Sequence, residues 1–179
     1  MDLSRQWPYI TQVAQHRLEH NKTERHVAGF GTYIEVIGAA GELAARHFLQ
    51  LPLELHEHFD HGADIVYKDI RIDVKATVWT RRLQYRNLQW PIGKRIKADV
   101  VLFTAVNEEK KSAVVVGYAL PEDIQRAPAN PERKYECYEI PVRKLRKASQ
   151  LLFVECRDDL YPSAQTGTGG QQVGYATGA

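Results

Sequence analysis

The sequence predicts an α/β fold in which helices flank a central mixed β-sheet. Three observations carry that expectation. Residues 70–77 alternate, with Ile70, Ile72, Val74 and Ala76 on one side and Arg71, Asp73, Lys75 and Thr77 on the other. This is the period-two pattern of a half-buried strand. Residues 98–106 (ADVVLFTAV) and 112–120 (SAVVVGYAL) are nearly continuous apolar runs of strand length, as expected of strands buried on both faces. Before residue 50, two stretches repeat apolar residues at three- and four-residue steps, the spacing of helices.

The first of these stretches, residues 4–24, lies within an N-terminal helical segment 1–28. Trp7, Ile10, Val13, Ala14 and Leu18 form its stripe. His16 and His20 fall one turn apart, a spacing that can grip zinc, but no third ligand follows nearby. Gly29 and Gly31 break the pattern, and Thr32 is positioned to cap a second helix over about 33–50. Its stripe is Tyr33, Val36, Ile37, Ala40, Leu43, Ala44 and Phe48. On a helical wheel Glu42 falls on a flank with Glu35, Gly38 and Ala45. Either Glu42 reaches inward past small residues, or Glu35 does, or both are surface charges.

Residues 51–61 contain His56, His58 and His61, read either as lining a cleft or as half-exposed turn residues. The stretch 62–77, GADIVYKDIRIDVKAT, reads as two strands joined by a tight turn near Lys68 and Asp69. Such a hairpin brings Asp64 near Asp73, while Asp73 and Lys75 project from the same side. Residues 78–97 interleave Trp79, Tyr85 and Trp90 with Arg81, Arg82, Arg86, Lys94, Arg95 and Lys97. Basic side chains neutralise phosphates and aromatic rings stack on bases, so this segment is read as contacting DNA, with a loop at Pro91–Gly93. The plainer alternative is a solvated, charged excursion with its aromatics tucked into the core.

Pro121 opens a short helix. Residues 135–142 alternate like an outer strand, 142–150 form a basic amphipathic helix that adds to a DNA surface or is simply solvated, and 151–156 suggest a last strand. From Ser163 the composition shifts to Gly, Gln, Thr and Ala, and 163–179 is read as a disordered tail. One domain over 1–162 is the default for a chain of 179 residues. The formal net charge of +2 announces no nucleic-acid partner by itself; the clustering of basic residues does. Cys137 and Cys156 show no disulfide or zinc spacing and are expected to be reduced core residues. With no membrane-length apolar run and no signal peptide, a cytoplasmic protein away from membranes is expected.

Two clustered carboxylates make a hard, oxygen-rich site that suits Mg²⁺ or Mn²⁺. Asp64, then Asp73-Val74-Lys75, preceded by a helix carrying Gly41-Glu42-Leu43-Ala44, resembles the PD-(D/E)XK nuclease superfamily over residues 30–120. Ala63 stands where that family has proline. The resemblance implies a restriction-endonuclease-like catalytic core. In it Asp64, Asp73, the Val74 carbonyl and Glu42 would hold metal, and Lys75 would position water or stabilise the pentavalent phosphate. The implied activity is that of a Mg²⁺-dependent endodeoxyribonuclease of restriction, homing, junction-resolving, phage or repair type, with a homodimer compatible with so compact a chain. The rival expectation is a non-catalytic DNA-binding or assembly protein that keeps a nuclease-like fold.

Overall fold

The computed structural model describes residues 1–20, 31–55, 63–79, 87–130 and 136–160. Strands β1 (Ile65–Tyr67) and β2 (Ile70–Val78) pair antiparallel, with Ile65 opposite Ile72 and Tyr67 opposite Ile70. The two residues between them, Lys68 and Asp69, have φ of 46° and 61°. Positive φ at both positions is what a two-residue hairpin loop needs to match strand twist. After an excursion that contains β3 (Asn87–Pro91), the chain returns as β4 (Val100–Asn107), parallel to β2. Strand β5 (Ser112–Ala119) then pairs antiparallel with β4, giving a four-stranded mixed sheet in the order β1-β2-β4-β5.

Strand β4 is apolar almost throughout because both of its faces are covered. Val100 and Leu102 pack with Ala45 and Leu49 on one face, and Val101 and Phe103 with Leu88, Trp90 and Ile140 on the other. The first cover is helix α2 (Gly31–Phe48), itself packed against α1 (Trp7–His20) through Ile10, Val13, Ala14, Val36, Ala40 and Leu43. Gly41 lets α2 lie this close. A Cβ there would come within 2.6 Å of the Ala76 Cβ and closer still to Thr104 Oγ1. The second cover is a three-stranded antiparallel sheet, β3 with β7 (Cys137–Pro141) and β6 (Ala129–Asn130), in the order β3-β7-β6. Its three strands meet at the buried Glu139, which accepts hydrogen bonds from Asn87, Gln89 and Asn130.

Several expectations are corrected. Helix α2 starts at Gly31, so Thr32 sits in its first turn and does not cap it. Residues 87–91 form a strand inside the segment read as contacting DNA, ending at Pro91, where a loop was expected. Strand β5 is half-buried at the sheet edge, and β7 is the middle strand of its sheet, not an outer one. The basic helix over 142–150 is two 3₁₀ turns, Val142–Lys144 and Ala148–Phe153, and no strand follows among the described residues. Backbone pairing between Tyr118 and Arg146, at 2.8 and 3.0 Å, overrides the helical periodicity there. Cys137 is buried as expected, but Cys156 is exposed. The short helix at Pro121–Gln125 (α3) is present. Among the described residues no helix is long and apolar enough to cross a membrane. The tail 163–179, the three histidines His56, His58 and His61, and Tyr85 lie outside the described residues.

Candidate active site

The ladder of the β1–β2 hairpin runs one residue past β1, where the Asp64 amide donates to the Ile72 carbonyl at 2.9 Å. That step sets Asp64 beside Asp73. The Asp64 carboxylate also accepts a hydrogen bond from the Val74 amide at 2.6 Å. On β2, Asp73 and Lys75 share a face, and the Lys75 ammonium donates to the Asp73 carboxylate. The same ammonium lies 5.2 Å from the centroid of the Trp90 ring, a cation–π contact from the second sheet.

Glu42 approaches from α2. Arg17 Nη1 and Nη2 each donate to one Glu42 oxygen, both at 2.7 Å, in a bidentate pair whose side chains are 6% and 13% exposed. These groups enclose a cavity of about 410 Å³ whose charged walls are Arg17, Glu35, Glu42, Asp64 and Lys75, with Tyr33, Ile34 and Val78 among its apolar lining. Gly38 keeps its floor open, since a Cβ there would meet nothing within 4 Å. Asp73 is not among the residues that line the cavity; its carboxylate accepts from Lys75, which is one of them.

Burial pushes the Asp64 carboxyl up to about 7, with the negative charges of Glu42 and Asp73 adding to the effect. The Val74 amide and Lys75 oppose the shift without cancelling it. Burial also works against the Arg17 charge, but the hydrogen bonds to Glu42 and the charges of Glu42, Glu35 and Asp64 more than compensate. Asp64 is thus a cavity carboxyl that resists ionisation.

No protein-family model, characterised protein or solved structure matches this chain.

The structure gathers Asp64, Asp73, Lys75 and Glu42 around the open end of the hairpin. Both Glu35 and Glu42 line the cavity, and the Glu42 charge bears on Asp64. Among the described residues no three His, Cys, Asp or Glu side chains form a group ready to hold an ion. Each carboxylate has a partner of its own: Val74 for Asp64, Lys75 for Asp73, Arg17 for Glu42. Asp64 and Asp73 nevertheless fit Mg²⁺ or Mn²⁺ in kind, as hard oxygen donors whose mutual repulsion a cation would relieve.

Lys94, Arg95 and Lys97 are exposed on the loop after β3, while Arg81, Arg82 and Arg86 lie outside the described residues. Trp90 is a core residue, 2% exposed, with its indole N–H donated to the Lys94 carbonyl at 2.8 Å, so it is no stacking platform for bases. Nor is Arg146 free for phosphate, because Asp123 holds it at 2.7 and 3.1 Å. Arg17 escaped the sequence reading. It continues the Ile10, Val13, Ala14 stripe at the next helical step, and an arginine on a buried face was the signal that something charged lay opposite.

Proposed function

We propose that this chain is a divalent-metal-dependent nuclease that hydrolyses DNA phosphodiester bonds on a restriction-endonuclease-like core. The observation that carries the reading is the position of Asp64. It is tied to the middle of the strand bearing Asp73 and Lys75, and it shares a cavity with Glu42. A helix packed on a β-hairpin whose second strand continues into a parallel pair, as in α2, β1, β2 and β4, suits the same reading.

Asp64 and Asp73 would hold the cation, with the Val74 carbonyl as a further donor. When bound, such an ion neutralises charge on the scissile phosphate and acidifies the attacking water. Lys75, kept near Asp73 and open to the cavity, would orient that water or offset the charge that grows on the pentavalent phosphate. The exposed Lys94, Arg95 and Lys97 would hold the DNA backbone outside the cavity. Incubation of the purified protein with supercoiled plasmid and Mg²⁺ tests the activity. Nicked or linear product that EDTA abolishes is expected, and intact plasmid under all divalent ions tried would refute it.

One observation favours a second reading, a non-catalytic DNA-binding or assembly protein with a nuclease-like fold. Both Glu42 oxygens are taken by Arg17, and the carboxylates do not form a ready ion group among the described residues. That reading expects DNA binding of equal strength in Mg²⁺ and in EDTA, without cleavage.

A further inference from the structure

We propose that Trp90 is the positioning residue for Lys75: its ring face, presented by the second sheet, holds the ammonium at the wall of the cavity. The inference deepens the nuclease reading above and rests on it for its catalytic consequence, because Lys75 is the group that would meet the water or the scissile phosphate.

The placement follows from how the two sheets pack. Lys75 stands opposite Phe103 in the parallel pairing of β2 with β4. Trp90 belongs to the same core cluster as Phe103. The ring thus lies next to the lysine's place on its strand, and the ammonium comes to 5.2 Å from the ring centroid. That is within reach of a cation–π attraction, for which indole is the best of the aromatic side chains. The ring itself is fixed. It is buried, and its N–H is donated to the Lys94 carbonyl at 2.8 Å.

Lys75 gains from such a support. Its stem is long and flexible, and the side chain is 32% exposed. Asp73, which accepts from the ammonium, sits two residues away on the same strand, so that pair restrains the charge from one side. The ring restrains it from another, on an element anchored independently of β2. An ammonium carries three N–H donors. With Asp73 and the ring face each taking one direction, the direction left is the cavity that Lys75 lines. The same ring carries a second ammonium, that of Lys94 at 5.3 Å, so the two lysines have to be told apart.

Tryptophans of increasing ring fluorination, placed at position 90 alone, drain the π face with little change of shape. The single-turnover rate on saturating DNA should fall step by step, by about three- to thirtyfold at the most fluorinated ring, the rate equivalent of a cation–π contact. Melting temperature and DNA affinity in EDTA should stay unchanged, which sets this apart from a loss of packing. The fall should persist in K94M, which removes the other ammonium from the ring. In nuclear magnetic resonance spectra the Lys75 ε-protons should show an upfield ring-current shift that W90F keeps in part and K94M leaves in place. A rate indifferent to fluorination, or a fall that vanishes in K94M, would overturn the inference and leave the nuclease reading standing. A wild-type protein that cuts no DNA would refute the nuclease reading, and the Lys75 shift would still decide the placement: present, it upholds Trp90 as the holder of Lys75; absent, it overturns it.

Discussion

The Asp64 carboxylate and the Val74 amide, ten residues apart in sequence, are joined by a 2.6 Å hydrogen bond. This contact fixes the entry of the hairpin to the strand between Asp73 and Lys75. It also holds a carboxyl in a place where ionisation is resisted by burial, by Glu42 and by Asp73.

Stability should therefore fall as pH rises. The Asp64 carboxyl titrates at about 7 in the folded chain against an ordinary value of 3.8. Between those values the folded state keeps a proton that the unfolded state has lost, so each step up in pH favours unfolding, and the full cost is present above 7. In metal-free buffer the melting temperature of the wild-type protein should drop from about pH 5 to about pH 8 relative to D64N, which lacks the ionisable group. Mg²⁺ should raise the melting temperature more at the higher pH. A difference between wild type and D64N that is flat with pH would contradict this account of Asp64.

Two glycines of α2 should respond in opposite senses. Gly41→Ala drives a methyl into Ala76 and Thr104 and should destabilise by about 1–3 kcal/mol. Gly38→Ala meets open space and should be neutral or stabilising by up to about 1 kcal/mol through helix propensity. Urea denaturation of the two variants checks the contrast.

Arg17→Ala leaves the Glu42 carboxylate buried without its partner and should cost about 3 kcal/mol or more. Arg17→Ala combined with Glu42→Leu should recover much of that loss, because no charge then stays stranded. Denaturation midpoints of the single and double variants measure it.

Arg95→Glu and Lys97→Glu, both on the exposed loop after β3, should weaken binding of any DNA sequence alike. Each should also lower the slope of log affinity against log salt by about one phosphate contact or slightly more. Fluorescence anisotropy of a labelled oligonucleotide across a salt series reads both effects.

The parts of the fold written in local patterns were legible in the sequence. Alternation from Ile70 to Thr77 gave the strand and the shared face of Asp73 and Lys75, and the unbroken apolar run gave β4 as the strand covered on both sides. The second sheet was hidden because Leu88 and Trp90 alternate with polar residues within a segment dominated by its basic charges. The stretch after Pro141 misled for another reason. Its periodicity is helical, but the Tyr118 backbone claims Arg146, and no local pattern reports a partner 28 residues away. Within the candidate site the wheel left Glu35 and Glu42 equivalent, since no local pattern reports that Arg17 crosses the helix interface to pair with Glu42.

The most direct test is cleavage of supercoiled plasmid by purified wild-type protein and by Asp73→Ala, each in Mg²⁺ and in EDTA, with circular dichroism to verify that both are folded. The account predicts metal-dependent nicking or linearisation by the wild type alone. Undiminished Mg²⁺-dependent cleavage by folded Asp73→Ala would contradict it.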